Sequence, residues 1–508
     1  MKLSVSQEEG KQQIFKFLHD SNKKNNLFLL KGSAGTGKST LISHILDNDH
    51  FIKKKIAFSA TTNKAVSILQ RMSIGRYESL DVIYLTIQKL LQIKRKIDKD
   101  GNTLFETNLK NEKQAKSIFN YDIIIIDESS MVSQDMMSEI LKIKSRIKGK
   151  IIFLGDIAQL PPVNEVESSI FKQEIPQYEL TEIMRYTGNL VGLANTFRSL
   201  VFDRTVKISL KEYKEKNIKI YKHFDKWISQ YLVDLEKIVA KMDGTSNILE
   251  NSPVFLVYTN RMCNIINTEI RKNLFQGVTE KYTKGEIIIF NNYYYHIPSE
   301  TKYFTSQKMS VQEIAEKKHM WCDFTSKLLE SIEPVFTKFL ISNTITDIDM
   351  PELQRDMFAK VESLFEELNS LELPYYNLTL NDGKSIWVLH SDSEKRFDSL
   401  VELIRTNLKK FKQFHQKKYG KNIQLKGLID SIMTYIWEYF YVKVIDIFAD
   451  ICYGYCITTH KSQGSTFRNV YIDINNIITK NSNEEESYRC LYTAITRSSK
   501  KVNILSYK

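Results

Sequence analysis

The stretch KGSAGTGKST at residues 31–40 decides the fold of this chain. It fits the pattern G-x-x-x-x-G-K-[ST], in which glycines let backbone N–H groups turn inward onto phosphate oxygens. The apolar run 27–30 predicts a buried strand before it, and residues 40–46 predict a helix after it, whose N-terminus favours anions. The pattern therefore predicts a nucleoside triphosphate site, in which Lys38 reaches the β- and γ-phosphates and Ser39 binds Mg²⁺. The residues expected around the phosphates are Gly32, Ser33, Ala34, Gly35, Thr36, Gly37, Lys38, Ser39 and Thr40.

Composition limits the class of protein. The 508 residues are 42% hydrophobic and include only 8 prolines and 18 glycines, which indicates roughly two to four domains without long linkers. The 72 basic and 60 acidic residues give a net charge of +12, which fits a polyanionic partner but also occurs in Lys-rich proteins without one. Five scattered cysteines, no signal-like N-terminus and no membrane-length apolar run lead us to expect a cytoplasmic protein without a membrane partner.

A second predicted strand ends in two carboxylates. Residues 121–130, YDIIIIDESS, place Asp127 and Glu128 after four isoleucines that are typical of a strand buried on both faces. Adjacent buried carboxylates are costly without a metal or a partner. Asp127 suits Mg²⁺ coordination, directly or through water, and Glu128 suits deprotonation of an attacking water. The similar stretch IIFLGDIAQLPP at 151–162 places Gln159 where its amide can sense the γ-phosphate or that water.

Small polar residues follow two further predicted strands. Thr61, Thr62 and Asn63 come after the strand at 55–60, and Thr86 has a similar place in a later segment. Parallel sheets bind ligands at the carboxyl ends of their strands, so hydroxyls and helix N–H groups there can hold a phosphodiester. An ordinary helix N-cap explains the same residues and stays an alternative.

Residues 92–107 alternate around Asp100-Gly101 and predict a β-hairpin inserted at about 91–113. One arm is basic, and Leu104 and Phe105 lie near the expected tip. Two interpretations stay open: a surface hairpin with a half-buried phenylalanine, or a wedge on which Phe105 stacks against a base pair and splits it.

The order of the motifs resembles that of the superfamily 1 helicases. The motifs are Gln7, GSAGTGKST (32–40), ATTNKAV (60–66), IIIIDESSMV (123–132), GDIAQLPP (155–162) and LTEIMRY (180–186). GDIAQLPPV and the later THKSQGST (459–466) resemble the RecD/Dda-like branch, which implies 5′→3′ movement on single-stranded DNA. The resemblance covers about residues 1–200, 253–292 and 453–508, and leaves 293–450 without a match.

The resemblance implies nucleotide contacts. Gln7 would recognise adenine, since an amide donates and accepts at once, although a solvated helix is the alternative. Arg497 looks like the arginine finger that stabilises charge on the γ-phosphate. Arg185 is of the type that binds phosphate bidentately, although a surface salt bridge explains it too. Gln463 and Gly464 would face the nucleotide.

The resemblance also implies a strand-binding face. Its members would be Thr259, Asn260, Thr459, His460 and Ser465, with a simple helix cap as the alternative for the first two. In the unmatched region, the aromatic run at 293–296 allows base stacking or strand packing. The basic run at 408–421 allows a phosphate contact or a solvated face.

We therefore predict an α/β fold with two RecA-like P-loop domains, a small β-hairpin insertion in the first and a larger mixed α+β insertion in the second. The expected segments are a first ATPase domain at 1–190, a second domain at 191–292 and 453–508, and an accessory insertion at 293–452. ATP and Mg²⁺ would lie between the two domains. Single-stranded and forked DNA are the expected substrates, a single-stranded-DNA-binding protein or replication and recombination proteins are candidate partners, and the chain is expected to work as a monomer.

The predicted activity is that of an ATP-dependent DNA helicase. Alternatives within the class are a protein-displacing translocase and an RNA/DNA-hybrid helicase. A P-loop kinase would need neither Gln159 nor Arg497, and a nucleotide-regulated scaffold with a dead site would not need Lys38, Asp127 and Glu128 intact.

Overall fold

The computed structural model describes residues 3–22, 24–47, 51, 53–74, 77, 80–109, 116–182, 189–241, 244–277, 279–296, 300–342, 349–419 and 421–507. Its helices are α1 (Val5–His19), α2 (Lys38–Leu46), α3 (Asn63–Met72), α4 (Ile87–Leu90), α5 (Gln134–Ile143), α6 (Asn189–Phe202), α7 (Phe224–Lys241), α8 (Thr245–Asn251), α9 (Asn260–Leu274), α10 (Phe324–Ser342), α11 (Met350–Ser370), α12 (Ser391–Tyr419), α13 (Ile423–Phe440), α14 (Thr459–Ser462), α15 (Ile474–Lys480) and α16 (Glu484–Thr496). Its strands are β1 (Leu27–Gly32), β2 (Lys55–Ala60), β3 (Asp81–Thr86), β4 (Ile93–Ile97), β5 (Thr103–Thr107), β6 (Ile123–Asp127), β7 (Lys150–Gly155), β8 (Gln177–Leu180), β9 (Ile218–Tyr221), β10 (Val254–Val257), β11 (Ile287–Phe290), β12 (Tyr294–His296), β13 (Thr301–Tyr303), β14 (Lys308–Met320), β15 (Glu372–Leu380), β16 (Ser385–Leu389), β17 (Ile451–Tyr453), β18 (Cys456–Thr458), β19 (Phe467–Asp473) and β20 (Ser498–Leu505).

The first domain is built on a parallel sheet with the strand order β3-β2-β6-β7-β1-β8. Its strands are apolar runs such as Ile123–Asp127, because helices cover both faces of the sheet. Helices α1, α2 and α3 contribute to the core on one face, and α5 contributes to the core on the other. The carboxyl ends of β1, β6 and β7 therefore meet at one edge, where the predicted nucleotide residues follow.

A second parallel sheet has the order β18-β10-β19-β20-β9. Helices α6 and α16 pack on one face and α7 and α9 on the other. The aromatic side chains Trp227, Tyr231 and Tyr471 are fully buried on the second face. The predicted α/β fold with two RecA-like domains is confirmed.

The accessory insertion combines an antiparallel sheet, in the order β16-β15-β14-β11-β17, with the helices α10 to α13. Strands β11 and β17 belong to this sheet, so it extends a few residues beyond the predicted segment at each end. Tyr294 of β12 is buried against Phe290 and Tyr303, which favours strand packing there. The basic run at 408–421 lies mostly in α12, whose Phe411 is part of the helical core. Within the described ranges, no helix is long and apolar enough to span a bilayer.

Strands β4 and β5 form the predicted hairpin. Its tip is not free, because it packs on α12 and α13 of the accessory insertion. Lys99 forms an ion pair of 2.7 Å with Asp430, Lys412 pairs with Asp100, and the Tyr441 hydroxyl donates to the Gly101 carbonyl. Leu104 and Phe105 lie near the tip, as expected, because they are the second and third residues of β5; Phe105 lies opposite Arg95, and 71% of it is exposed.

Candidate active site

The loop between β1 and α2 has the geometry that its glycines allow. Gly37 has φ = +79°, and a Cβ atom there would lie 2.5 Å from Nε2 of Gln7, so only glycine fits. Lys38 Nζ donates to the carbonyls of Gly32 (2.7 Å) and Ser33 (3.1 Å), which holds the ammonium over the loop. The loop residues Ala34, Gly35, Gly37, Lys38, Ser39 and Thr40 line a cleft of about 400 Å³.

The two carboxylates at the end of β6 face this cleft. Ser39 Oγ donates to Asp127 Oδ2 over 3.0 Å, so the hydroxyl and carboxylate predicted to bind Mg²⁺ lie together. Burial, reinforced by the neighbouring Glu128, raises the pKa of Asp127 to about 6. A divalent cation there would reverse this by favouring the charged carboxylate. A hydroxyl and a carboxylate are oxygen donors, which Mg²⁺ prefers, and Mg²⁺ usually keeps several waters beside one or two protein ligands.

Glu128 has a strained backbone. Its φ of 50° and ψ of 43° lie in the left-handed region, which costs a non-glycine residue on the order of 1 kcal/mol. The conformation holds its carboxylate in the cleft, where Oε1 lies 3.5 Å from Nη1 of Arg497. Because Arg497 follows α16 of the second domain, this pair joins the two domains across the cleft.

Arg497 is almost fully buried and is positioned by three groups. Nε donates to the Thr493 carbonyl (3.3 Å), and Nη1 lies near the carbonyl of Ser465 (3.4 Å) and the carboxylate of Glu128. The guanidinium therefore points from the second domain at the carboxylate predicted to activate water. A planar guanidinium is also suited to bind phosphate oxygens in pairs.

Gln159, which follows β7 of the first domain, also lines the cleft, and its side chain is buried. Its Oε1 atom has no hydrogen-bond partner among the described residues. An unpaired buried acceptor is costly unless a ligand pairs with it. The geometry supports the predicted contact with the attacking water or the γ-phosphate.

Gln7 joins helix α1 to the phosphate loop. Its Nε2 donates to the Thr36 carbonyl over 3.0 Å, and its Oε1 accepts from the backbone N–H of Ser4 over 3.1 Å. The Ser4 hydroxyl accepts from Gln7 in return, which completes a capping box. The alternative of a solvated helix is wrong for this side chain, which is buried; adenine recognition stays a prediction.

Sequence reasoning missed a polar stripe on α16. Tyr492 accepts from the Ala34 N–H (3.0 Å) and donates to Asp156 (2.6 Å), and Arg489 donates to the Gln159 carbonyl (3.3 Å). Thr493 accepts from the N–H of Leu160. Residues 489, 492, 493 and 496 share one helix face and are buried, so polar residues at helical spacing in a buried helix were the available signal. This stripe fixes the second domain against the phosphate loop.

Three threonines that were predicted to contact a DNA strand are N-caps of helices. Each lies at the carboxyl end of a parallel β-strand. The hydroxyls of Thr62, Thr86 and Thr259 accept from backbone N–H groups of α3, α4 and α9. The alternative of a helix cap therefore holds for each. A cap leaves other N–H groups of the first turn free for a phosphate, so both roles are compatible.

The other predicted strand contacts differ in exposure. Asn260 is exposed, and Thr61 and Asn63 are half-buried beside Thr62. His460 packs on Tyr258 and lies 3.7 Å from Glu486, and burial lowers its pKa.

Two of the strand contacts predicted in the THKSQGST segment are not on an accessible surface. Thr459 is fully buried and donates to the Val257 carbonyl, and Ser465 is 1% exposed. The structure thus does not place them where a strand could reach them. Gln463 is also buried and donates to the Leu160 carbonyl (2.7 Å), whereas Gly464 lines the cleft. Arg185 lies outside the described residues.

Comparison with known proteins agrees with this arrangement. Residues 8–202 match the family model described as an AAA domain, and residues 453–505 match the UvrD-like helicase C-terminal domain. An uncharacterised protein of Acanthamoeba polyphaga mimivirus is 25% identical over 99% of both chains. The RecBCD enzyme subunit RecD of Buchnera aphidicola (subspecies Schizaphis graminum) is 27% identical over 95% of this chain and 71% of its own.

A solved structure of a Bacteroides Pif1 helicase, in complex with ADP-AlF3 and ssDNA, covers 100% of this chain and 93% of its own, with 14% identity and a TM-score of 0.46. The two family models match the segments that supply the two walls of the cleft. By these two family models and the RecD relative, the chain is similar to the superfamily 1 helicases of the RecD/Pif1-like group.

Proposed function

We propose that this chain is an ATP-dependent DNA helicase that moves 5′→3′ on single-stranded DNA and unwinds duplexes. The observation that carries the proposal is the approach of Arg497 to Glu128 across the cleft, at 3.5 Å. A catalytic site that needs a residue from a second domain is assembled and disassembled by domain movement. Such a site couples ATP hydrolysis to movement, as a translocating motor requires. The similarity to the superfamily 1 helicases of the RecD/Pif1-like group supports DNA as the substrate and 5′→3′ movement.

Each cleft residue then has a role in hydrolysis. Lys38 and the loop N–H groups hold the phosphates, and Ser39 and Asp127 would hold Mg²⁺, which screens phosphate charge. Glu128 takes the proton of the attacking water, while the free Oε1 of Gln159 orients it. Arg497 stabilises charge on the γ-phosphate oxygens, and Arg185 would add a second phosphate contact.

Domain closure is expected to move the strand. The capped helix ends of α3, α4 and α9 lie on two different domains, so opening and closing the cleft changes the distance between them. A DNA sugar-phosphate backbone that binds α3 and α4 when the cleft is in one state, and α9 when it is in the other, would be moved stepwise. We propose that the chain acts as a monomer, since both walls of its cleft come from one chain.

The experiment that tests the proposal compares forked DNA with only a 5′ tail and forked DNA with only a 3′ tail. We expect strand separation with the 5′ tail, and ATP turnover stimulated by single-stranded DNA. Separation with the 3′ tail alone would reverse the direction, and no separation or stimulation with either would reject the helicase activity. A fork with a 5′ DNA tail and an RNA/DNA-hybrid duplex, measured alongside, tests the RNA/DNA-hybrid alternative.

Phe105 is expected to separate strands. It is 71% exposed on a hairpin whose tip is held by the accessory helices, so its ring has a firm support for stacking on a base pair. Phe105→Ala should lower the unwinding rate about tenfold, because a stacked base contributes roughly 1–3 kcal/mol, and should leave DNA-stimulated ATP turnover unchanged.

The matched control is Phe202→Ala, which removes another largely exposed ring at the end of α6. Gel-based strand separation and phosphate release are measured on the same samples. Unwinding at the rate of the unmodified protein would leave Phe105 as a residue of a plain surface hairpin.

A further inference from the structure

Two lysines from opposite sides of the domain junction converge on one aromatic ring. Lys64 Nζ lies 4.9 Å from the ring centre of Phe467, and Lys308 Nζ lies 5.3 Å from the same centre. Lys64 belongs to α3 of the first domain, Lys308 begins β14 of the accessory sheet, and Phe467 begins β19 of the second domain. The two ammonium groups are thus at most about 10 Å apart, close enough to repel each other in a crevice of low dielectric.

Neither lysine is paired with a carboxylate among the described residues. Two other partly buried cations are paired with carboxylates, Arg271 with Glu286 and Lys501 with Asp234. Burial lowers the pKa of Lys308 to about 7 and that of Lys64 to about 8, and the charge of Lys64 adds to the effect on Lys308. Two unpaired cations held together in a crevice are unfavourable unless an anion binds there.

The surroundings of the ring suit a phosphodiester. Lys64 directly follows Thr62 and Asn63 at the N-terminus of α3, where the hydroxyl and N–H groups favour an oxyanion. Thr466, next to Phe467, is exposed. Lys461 and Lys89 also lie on this junction, at Asn291 and over the ring of Phe304. The junction is therefore basic, as grooves that follow the backbone of a single strand are, and the Phe467 ring between the lysines is buried.

The crevice is directly linked to the nucleotide cleft. Ala65, the residue after Lys64, and Thr466, the residue before Phe467, both line that cleft. The Phe467 N–H donates to the carbonyl of Arg497 over 2.8 Å. Any approach of the two domains that closes the cleft around ATP must therefore also bring α3 towards the ring and Lys308.

We propose that Lys64 and Lys308 form a divided phosphate clamp, whose mutual repulsion opposes closure of the nucleotide cleft until a strand phosphate enters between them. The inference rests on the proposed function, because the phosphate it needs belongs to the nucleic-acid strand. It assigns to these lysines the control of ATP turnover by DNA, beyond simple attachment of the strand.

A charge series in the full-length chain tests the clamp. Lys308→Glu supplies a fixed negative charge opposite Lys64, so ATP turnover without DNA should rise about fivefold to tenfold, the size expected for charges at this separation. Added oligo(dT) should then stimulate turnover by less than about twofold. Lys308→Met, which removes the repulsion alone, should raise DNA-free turnover by a smaller factor.

The double variant Lys64→Glu, Lys308→Glu restores repulsion with the opposite sign. Its turnover should return to the low DNA-free level of the unmodified chain and should not respond to oligo(dT). The matched control is Lys384→Glu, at an exposed turn of the same accessory sheet, which should leave DNA-free turnover unchanged. Thermal unfolding of each variant verifies that it is folded.

The outcomes separate this inference from the proposed function. DNA-free turnover of Lys308→Glu equal to that of the unmodified chain, with only a higher oligo(dT) requirement, would make Lys308 a plain strand contact and overturn the clamp. An unmodified chain that oligo(dT) does not stimulate would contradict the proposed function, while the DNA-free comparison would still decide whether the lysines restrain the cleft.

Discussion

Replacing Glu128 with glutamine is expected to lower kcat for ATP hydrolysis about 10³-fold, the size typical of losing a general base. Glutamine keeps the shape of the side chain but cannot take the proton of the attacking water. Nucleotide binding should persist, because the loop N–H groups and Lys38 are untouched. Removing one of two adjacent carboxylates also lowers the repulsion towards the γ-phosphate, so ATP should bind at least as tightly.

The measurement is steady-state phosphate release, paired with equilibrium binding of a fluorescent ATP analogue. Glu362→Gln, at an exposed position of α11, is the matched control and should behave like the unmodified chain. Turnover within about tenfold of normal would show that Glu128 is not the base, since a general base contributes more than that. We expect Glu128 to be the general base, because its left-handed backbone conformation holds the carboxylate facing Arg497.

The sequence predicted the parts of the site that depend on local pattern. The phosphate loop, the carboxylates after β6 and the two parallel sheets follow from short motifs and apolar runs, and the structure places Ser39 beside Asp127 as expected. The ion pair of Lys99 with Asp430 could not be predicted from a local sequence pattern. The two residues are 331 positions apart, and neither segment shows by itself what it packs against.

The segment THKSQGST shows a different limit. Its side chains are almost all polar, so hydropathy does not reveal which of them are buried. In the structure Thr459 and Ser465 are buried, whereas Gly464 faces the cleft. The polar stripe of α16 was missed for the same reason, because Tyr492 is buried through hydrogen bonds to Ala34 and Asp156 that only the assembled domains provide.

Replacing Arg497 with alanine is expected to lower kcat at least about 10³-fold, as for other arginines that stabilise the transferring phosphoryl group. Affinity for ATP should change much less, because Arg497 comes from the second domain and contributes chiefly when charge develops on the γ-phosphate. The measurements are phosphate release and nucleotide binding. Arg396→Ala, at an exposed position of α12, is the matched control. A variant that kept normal kcat but bound ATP weakly would make Arg497 a ground-state contact instead.

The double variant Glu128→Gln, Arg497→Ala shows whether the two residues act in one step. They are 3.5 Å apart across the cleft, so both are in place only when the domains approach. If proton removal and charge stabilisation belong to the same transition state, the double variant should lose little more than the worse single variant, because the effects of residues acting as a unit do not add. Full additivity, about 10⁶-fold in kcat, would mean that each acts independently of the other. Coupling between the pair would tie hydrolysis to the closed arrangement of the domains, and it is this link that lets a chemical step drive movement along a strand.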